Sequence, residues 1–157
     1  MLSPALDVTK PKDDADYFGR MTKAIFTAGL NWRMVENKWP AFERAFFGFS
    51  PSKVSKLAEK DVGALMKNQD IVRNERKIRA TVENAKTVLA LEKEFGSFGG
   101  YIDSFGRRED KLHSDLQARF KHLGPSTARM FLWMVDYPLT PTAEEKMWMK
   151  GHRGHRA

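Results

Sequence analysis

The sequence predicts an all-α fold in a single domain, on three observations. Apolar residues recur at three- and four-residue steps along most of the chain. No run alternates apolar and polar residues as a half-buried strand does, and no Asn-Gly or Asp-Gly pair offers a hairpin turn. At 157 residues such a chain buries roughly 68–70% of its unfolded surface, enough for one core without a disulfide or a structural metal.

Each element has its own signal. Residues 1–16 hold Pro4 and Pro11 without apolar periodicity, and are expected to be a flexible lead-in. A helical domain is expected over 17–149. Phe18, Met21, Ile25 and Ala28 fall at helical spacing, and Gly29 suits a C-terminal stop. A second helix starts at Asn31, carries Trp32, Val35 and Trp39, and stops at Pro40. Pro40 then opens a third, with Phe42, Ala45, Phe46 and Phe47. Ser50-Pro51 reads as a cap followed by proline, ahead of Val54 and Leu57; Val62, Leu65 and Met66 mark another short helix. The longest periodic stretch, 71–95, has Ile78, Val82, Ala85 and Leu89 as its core stripe, and Gly96, Gly99 and Gly100 break it. Leu112, Leu116 and Phe120 define a helix ending before Gly124. Ser126-Thr127 then caps an apolar helix over 128–135, closed by Pro138 and Pro141. A last helix, 143–149, leads into a basic tail at 150–157.

Composition narrows the function. The 27 Lys and Arg against 20 Asp and Glu give a net charge of +7, which favours a polyanionic partner, nucleic acid before membrane. The absence of cysteine excludes disulfides, thiolate zinc sites and a cysteine nucleophile. No run approaches the ~18 apolar residues of a membrane span. The opening residues lack a signal-peptide pattern. A cytoplasmic protein is expected, with no membrane association.

The most informative segment is Phe120-Lys-His-Leu-Gly-Pro-Ser-Thr-Ala128. One amphipathic helix runs into a tight turn and a second starts at once with hydroxyl residues. Gly124 is expected to let the backbone turn sharply and approach a partner. The N–H groups and hydroxyls of Ser126 and Thr127 would converge on an anion, with the Lys121 charge beside them. A phosphate of a nucleic-acid strand fits that arrangement. An ordinary helical corner with a good N-cap fits the fragment equally.

This fragment resembles the helix-hairpin-helix element of the DNA glycosylase superfamily, placed here at about 111–135. Three more segments resemble the 3-methyladenine DNA glycosylase I family: Ala28-Gly-Leu-Asn-Trp32, Phe42 to Phe49 with Ser50-Pro51-Ser-Lys-Val54, and Ile71-Val-Arg-Asn-Glu-Arg-Lys-Ile78 with Asn84-Ala85. They occur in the family's order and cover about three quarters of the chain. The resemblance implies a single-domain helical bundle of the helix-hairpin-helix glycosylase type, acting as a monomer on double-stranded DNA with alkylated bases. Such an enzyme takes the damaged base out of the stack into an aromatic pocket. Trp32 occupies the position of the family's pocket tryptophan, and Phe26 would lie beside it. A cationic alkylated purine would be attracted to the Trp32 ring, though a core aromatic is the other reading of that residue. Lys121, His122, Leu123, Gly124, Pro125, Ser126 and Thr127 would contact DNA.

The departures matter as much. The family's glutamate, four residues before the motif alanine, is replaced by Ala24, and its glutamine pair by Phe26-Thr27. No aromatic stands in residues 1–16, and without cysteine the family's zinc site is expected to be absent. No metal and no other cofactor is expected; His152 and His155 in the tail lack further ligands. Cleaving an N-glycosidic bond builds an oxocarbenium-like centre that a carboxylate stabilises. The available candidates, Asp136, Glu144 and Glu145, align with no family motif and read equally as surface carboxylates. Ser126 stands near the lysine position of backbone-cutting superfamily members, which argues against a Schiff-base step. Three readings remain open: a monofunctional glycosylase for alkylated purines in base excision repair, a DNA-binding relative without excision, and a helical protein-interaction module.

Overall fold

The computed structural model describes residues 8–151. The helices are α1 (Asp14–Thr27), α2 (Trp32–Ala45), a 3-10 turn (Phe47–Phe49), α3 (Pro51–Val54), α4 (Glu59–Leu65), α5 (Glu75–Phe95), α6 (Phe98–Asp103), α7 (Glu109–Arg119), α8 (Pro125–Met134) and α9 (Ala143–Gly151). No strand occurs among the described residues, in line with the expected all-α class. None of their helices is long and apolar enough to cross a membrane.

α1 is the central helix, packed against α2, α5 and α8. It starts earlier than the lead-in at 1–16 allows. The Asp13 side chain accepts from the Asp16 N–H at 2.8 Å, and Asp14 and Asp16 favour the positive end of the helix dipole. A polar, capped first turn has no apolar period, so the sequence pattern hides it. Residues 1–7 lie outside the described part. Arg20, buried on α1, closes the helix onto α8: its guanidinium donates to the Met134 carbonyl at 2.9 Å, to Thr9 and to Asp16.

Two expected boundaries differ. α2 runs straight through Pro40, because burial of Val35 and Phe42 with Trp39 along one face outweighs the lost backbone bond. The chain leaves the helix only after Phe46, where Phe47, Gly48 and Phe49 are all left-handed. That turn brings Phe49 flat onto Trp39, ring centroids 5.1 Å apart. Phe47, expected on a helix, is thereby left exposed.

α5 begins at Glu75, not near Ile71, with Asn74 accepting from the Lys77 N–H at 3.1 Å. Ile78, Val82 and Ala85 are buried as expected, but Val88 and Leu91 take the place assigned to Leu89. Of the glycines expected to break it, only Gly96 does (φ 86). Ser97 then caps α6, which buries Phe98, Tyr101 and Ile102. Gly100 is a packing glycine there, since a Cβ would stand 2.5 Å from the Phe95 carbonyl oxygen. The tail residues His152, Arg153, His155 and Arg156 lie outside the described residues.

Candidate nucleic-acid interface and base site

The hairpin joins α7 to α8. Phe120 and Leu123 are buried on the core side, while Lys121, His122, Gly124, Pro125 and Ser126 are exposed and Thr127 is half-buried. Leu123, expected at the DNA surface, therefore offers a partner only its main chain. The sharp turn is also elsewhere than expected. Gly124 has φ −79 and ψ −176, a conformation open to any residue, and a Cβ there would meet nothing within 4 Å. The left-handed residue is His122 (φ 57). Gly124 itself is the N-cap of α8 and Pro125 its first residue, so Ser126 and Thr127 stand inside the first turn instead of capping it. No side chain caps that end, which leaves the Ser126 and Thr127 N–H groups at an exposed helix start a few residues after Lys121.

Two side chains hold this turn from outside it. Asn84 of α5, 1% exposed, accepts from the Lys121 N–H at 2.7 Å and donates to the Lys121 carbonyl at 3.1 Å. His113 of α7 meets the Pro125 carbonyl through Nε2 at 2.8 Å.

The motif Ala28-Gly-Leu-Asn-Trp32 forms the turn between α1 and α2. Gly29 is left-handed (φ 76), and the Asn31 side chain caps α2 by accepting from the Arg33 N–H at 2.8 Å. Trp32 is half-buried, between the exposed Leu30 and Met34. The Arg33 guanidinium lies 5.4 Å from its ring centroid, so one cation already occupies the neighbourhood proposed for a cationic base. Phe26 is different. It is 0% exposed and packs edge-on to Phe42 at 4.8 Å, which makes it a core residue with no ring face open to a flipped base. Ala24, where the family has its glutamate, is 1% exposed within the same core.

Lys77, read in the sequence only as one basic residue of the motif at 71–78, has partners of its own. Its ammonium donates to the Ala28 carbonyl at 2.8 Å and stands 6.0 Å from the Phe26 centroid. It supplies a positive charge where the carbonyls of α1 end, and burial lowers its pKa. Lys77 and Asn84 lie two turns apart on α5, about 10 Å. One rigid helix thus ties the Trp32 turn to the hairpin.

The three carboxylate candidates do not gather at Trp32. Asp136, exposed with φ 62, follows Met134, whose carbonyl is held by Arg20, about 10 Å of α1 before the Trp32 turn. Glu145 is engaged structurally: it meets Arg129 at 2.6 Å and accepts from the Thr142 N–H at 3.0 Å. Those contacts lower its pKa, the Arg129 hydrogen bond foremost. Glu144 is exposed on α9. A carboxylate the sequence did not single out, Glu36, stands one turn after Trp32 on α2 and pairs with Lys23 at 2.6 Å. Only its i, i+4 spacing from Trp32 could have flagged it.

A cavity of about 610 Å³ opens elsewhere, between the α6–α7 loop and the α8–α9 connection, with Asp103, Arg107, Glu109 and Tyr137 in its wall. None of the predicted site residues lines it. Among the described residues no cluster of three or more metal-ligating side chains forms.

Known proteins share this fold. Residues 8–131 match the methyladenine glycosylase family. Over 78 residues the chain is 40% identical to a DNA-3-methyladenine glycosylase of Haemophilus influenzae, covering 50% of this chain and 42% of that protein. It is 35% identical over 85 residues to DNA-3-methyladenine glycosylase 1 of Escherichia coli, covering 54% and 46%. The chain spans less than half the length of these relatives in those matches. Among solved structures, 3-methyladenine DNA glycosylase I in complex with 3-methyladenine superposes with TM-score 0.76 at 28% identity, covering 85% of this chain and 82% of that one. A mutant of the Staphylococcus aureus enzyme superposes with TM-score 0.75 at 28% identity, with the same coverage. From Val8 into α8, with one helical architecture throughout, the chain belongs to the methyladenine glycosylase family.

Proposed function

We propose that the protein is a monofunctional DNA N-glycosylase that flips an alkylated purine, such as 3-methyladenine, out of double-stranded DNA and excises it hydrolytically, as a first step of base excision repair. The observation that carries this reading is the joining of the hairpin to the Trp32 turn by α5, through Asn84 at one end and Lys77 at the other. The exposed hairpin surface of Lys121, His122, Gly124, Pro125, Ser126 and Thr127 grips a backbone phosphate, and Leu123 contributes main chain alone. Trp32 stacks on the extruded base. Leu30, 39% exposed in that turn, enters the gap left in the stack.

The chemistry asks little of the protein. Alkylation at N3 makes the adenine a cationic leaving group, so it departs neutral as the C1′–N9 bond breaks and the sugar takes up positive charge. Water then adds to the sugar and releases a proton. A carboxylate near the sugar speeds this step; of Asp136, Glu144 and Glu145, none is held at the Trp32 turn. The protein works as a monomer in the cytoplasm, without metal or redox cofactor.

The closed core at Ala24 and Phe26 favours a second reading, a relative that binds DNA through the hairpin without excising a base. Release of free base from methylated duplex DNA decides between them, with Trp32→Ala and Gly124→Asp alongside. Release of 3-methyladenine that both changes abolish supports the glycosylase. Tight duplex binding without release, lost only in Gly124→Asp, supports the second reading and refutes the first.

A further inference from the structure

We infer that Asn84 is a positioning residue for DNA: its carboxamide fixes the main chain of Lys121, and with it the register between the phosphate grip and the base site. The inference rests on the DNA-binding part of the proposed function. Asn84 is polar, 1% exposed and in the middle of α5, beside the buried Ala80, Thr81, Ala85 and Val88, a place where an amide persists only with its hydrogen bonds made. Both are made to one residue. Its oxygen takes the Lys121 N–H and its nitrogen serves the Lys121 carbonyl, the two-bond pattern that one strand edge offers another. Lys121 is thereby held at both ends of its own backbone, immediately before the left-handed His122.

That placement has a mechanical meaning. A non-glycine residue at positive φ persists when its surroundings over-determine it. Gly124 does not supply the turn, because its own conformation is extended. The restraint comes from α5 before the turn and from His113 after it. Lys121 and the start of α8 consequently move with α5, the helix whose Lys77 also holds the Ala28 carbonyl of the Trp32 turn. Without Asn84 the hairpin stays attached through Phe120 and Leu123 in the core, but the Lys121 charge is no longer fixed relative to α8.

The test is a double-mutant cycle on the full chain. Duplex affinity is measured across a salt series for the wild type, Lys121→Ala, Asn84→Ala and the two changes together. In the wild-type background Lys121→Ala is expected to lower affinity about tenfold and to reduce the log–log salt slope by about one phosphate contact. Asn84→Ala is expected to do the same, and adding Lys121→Ala to it to change neither quantity further. Asn84→Asp, nearly the same size and still an acceptor for the Lys121 N–H but facing its carbonyl with a second acceptor, replaces Asn84→Ala in the cycle if the latter does not fold. Additive losses would show that Asn84 merely stabilises the fold and would overturn the inference. Hydrogen exchange at the Lys121 amide reads the clamp without DNA, slow in the wild type and fast in Asn84→Ala. Slow exchange in a protein that binds no duplex refutes the proposed function and leaves the clamp standing, whereas fast wild-type exchange refutes the clamp itself.

Discussion

Restoring the family's acid is the sharpest perturbation of the candidate base site. Ala24 is 1% exposed and sits inside the α1 core, so Ala24→Glu inserts a methylene and a carboxyl where no space is open. Overpacking alone costs about 1–3 kcal/mol. The carboxyl must also shed water. Arg20, one turn earlier, is already engaged by Asp16, Thr9 and the Met134 carbonyl. If the group stays protonated in the fold at pH 7, against an unfolded pKa of about 4.3, holding that proton costs about 3.7 kcal/mol. The sum is about 5–7 kcal/mol, a large share of a typical domain's stability, and lowers Tm by about 10–25 °C. The sign with pH follows. The folded pKa is raised, so the protonation cost grows as pH rises above 4.3 and vanishes below it, leaving the packing cost. Thermal melts of wild type and variant from pH 7 to pH 4 are therefore expected to converge by more than half. A variant within about 2 °C of wild type at pH 7, with a gap indifferent to pH, would mean that position 24 faces an open pocket and that the core does not close over it.

Phe26→Ala is expected to cost about 3–5 kcal/mol, as for a fully buried ring, whereas half-buried Trp32→Ala costs at most about 2 kcal/mol yet abolishes base binding. Chemical denaturation and titration with 3-methyladenine separate the two, and a cheap Phe26→Ala would return that ring to the pocket. Gly124→Ala is expected to leave Tm unchanged or slightly raised, since φ is −79 and a Cβ meets nothing, while weakening duplex binding by blocking close approach; equal duplex affinity would show that the strand does not come near Gly124. Burial, with the Asp14 hydrogen bond next, pushes Glu92 up to about 7. The folded state then keeps a proton that the unfolded chain releases, so stability falls as pH rises from about 4.5 to 7. Solvent screening limits this to about 1–2 kcal/mol, and Glu92→Gln should flatten that part of the pH–stability curve.

Local signals read well and tertiary ones did not. The start of α3 follows from Ser50-Pro51, and the end of α1 from Gly29, because caps and breakers act within a few residues. Pro40 misled, since the aromatic burial that carries α2 across it comes from elsewhere in the chain. The hairpin was legible as a segment, but Asn84 and Lys121 are 37 positions apart, and no periodicity links them. Phe26 was placed with Trp32 by sequence proximity and a motif; its edge-on contact with Phe42 and its full burial make it part of the core instead. The carboxylates after the hairpin were chosen by order along the chain, whereas the Arg20–Met134 contact sets their distance from the base site.

The clamp on Lys121 bears on how such a hairpin can be transplanted. Part of its shape is stored outside the segment, in an amide on α5 and an imidazole on α7. Lys121 to Thr127 moved alone into another helical scaffold would keep every exposed side chain and lose the restraint around His122. A portable unit needs Asn84 of α5 and His113 of α7 as well, and a recipient lacking them would inherit the spelling of the hairpin without its grip.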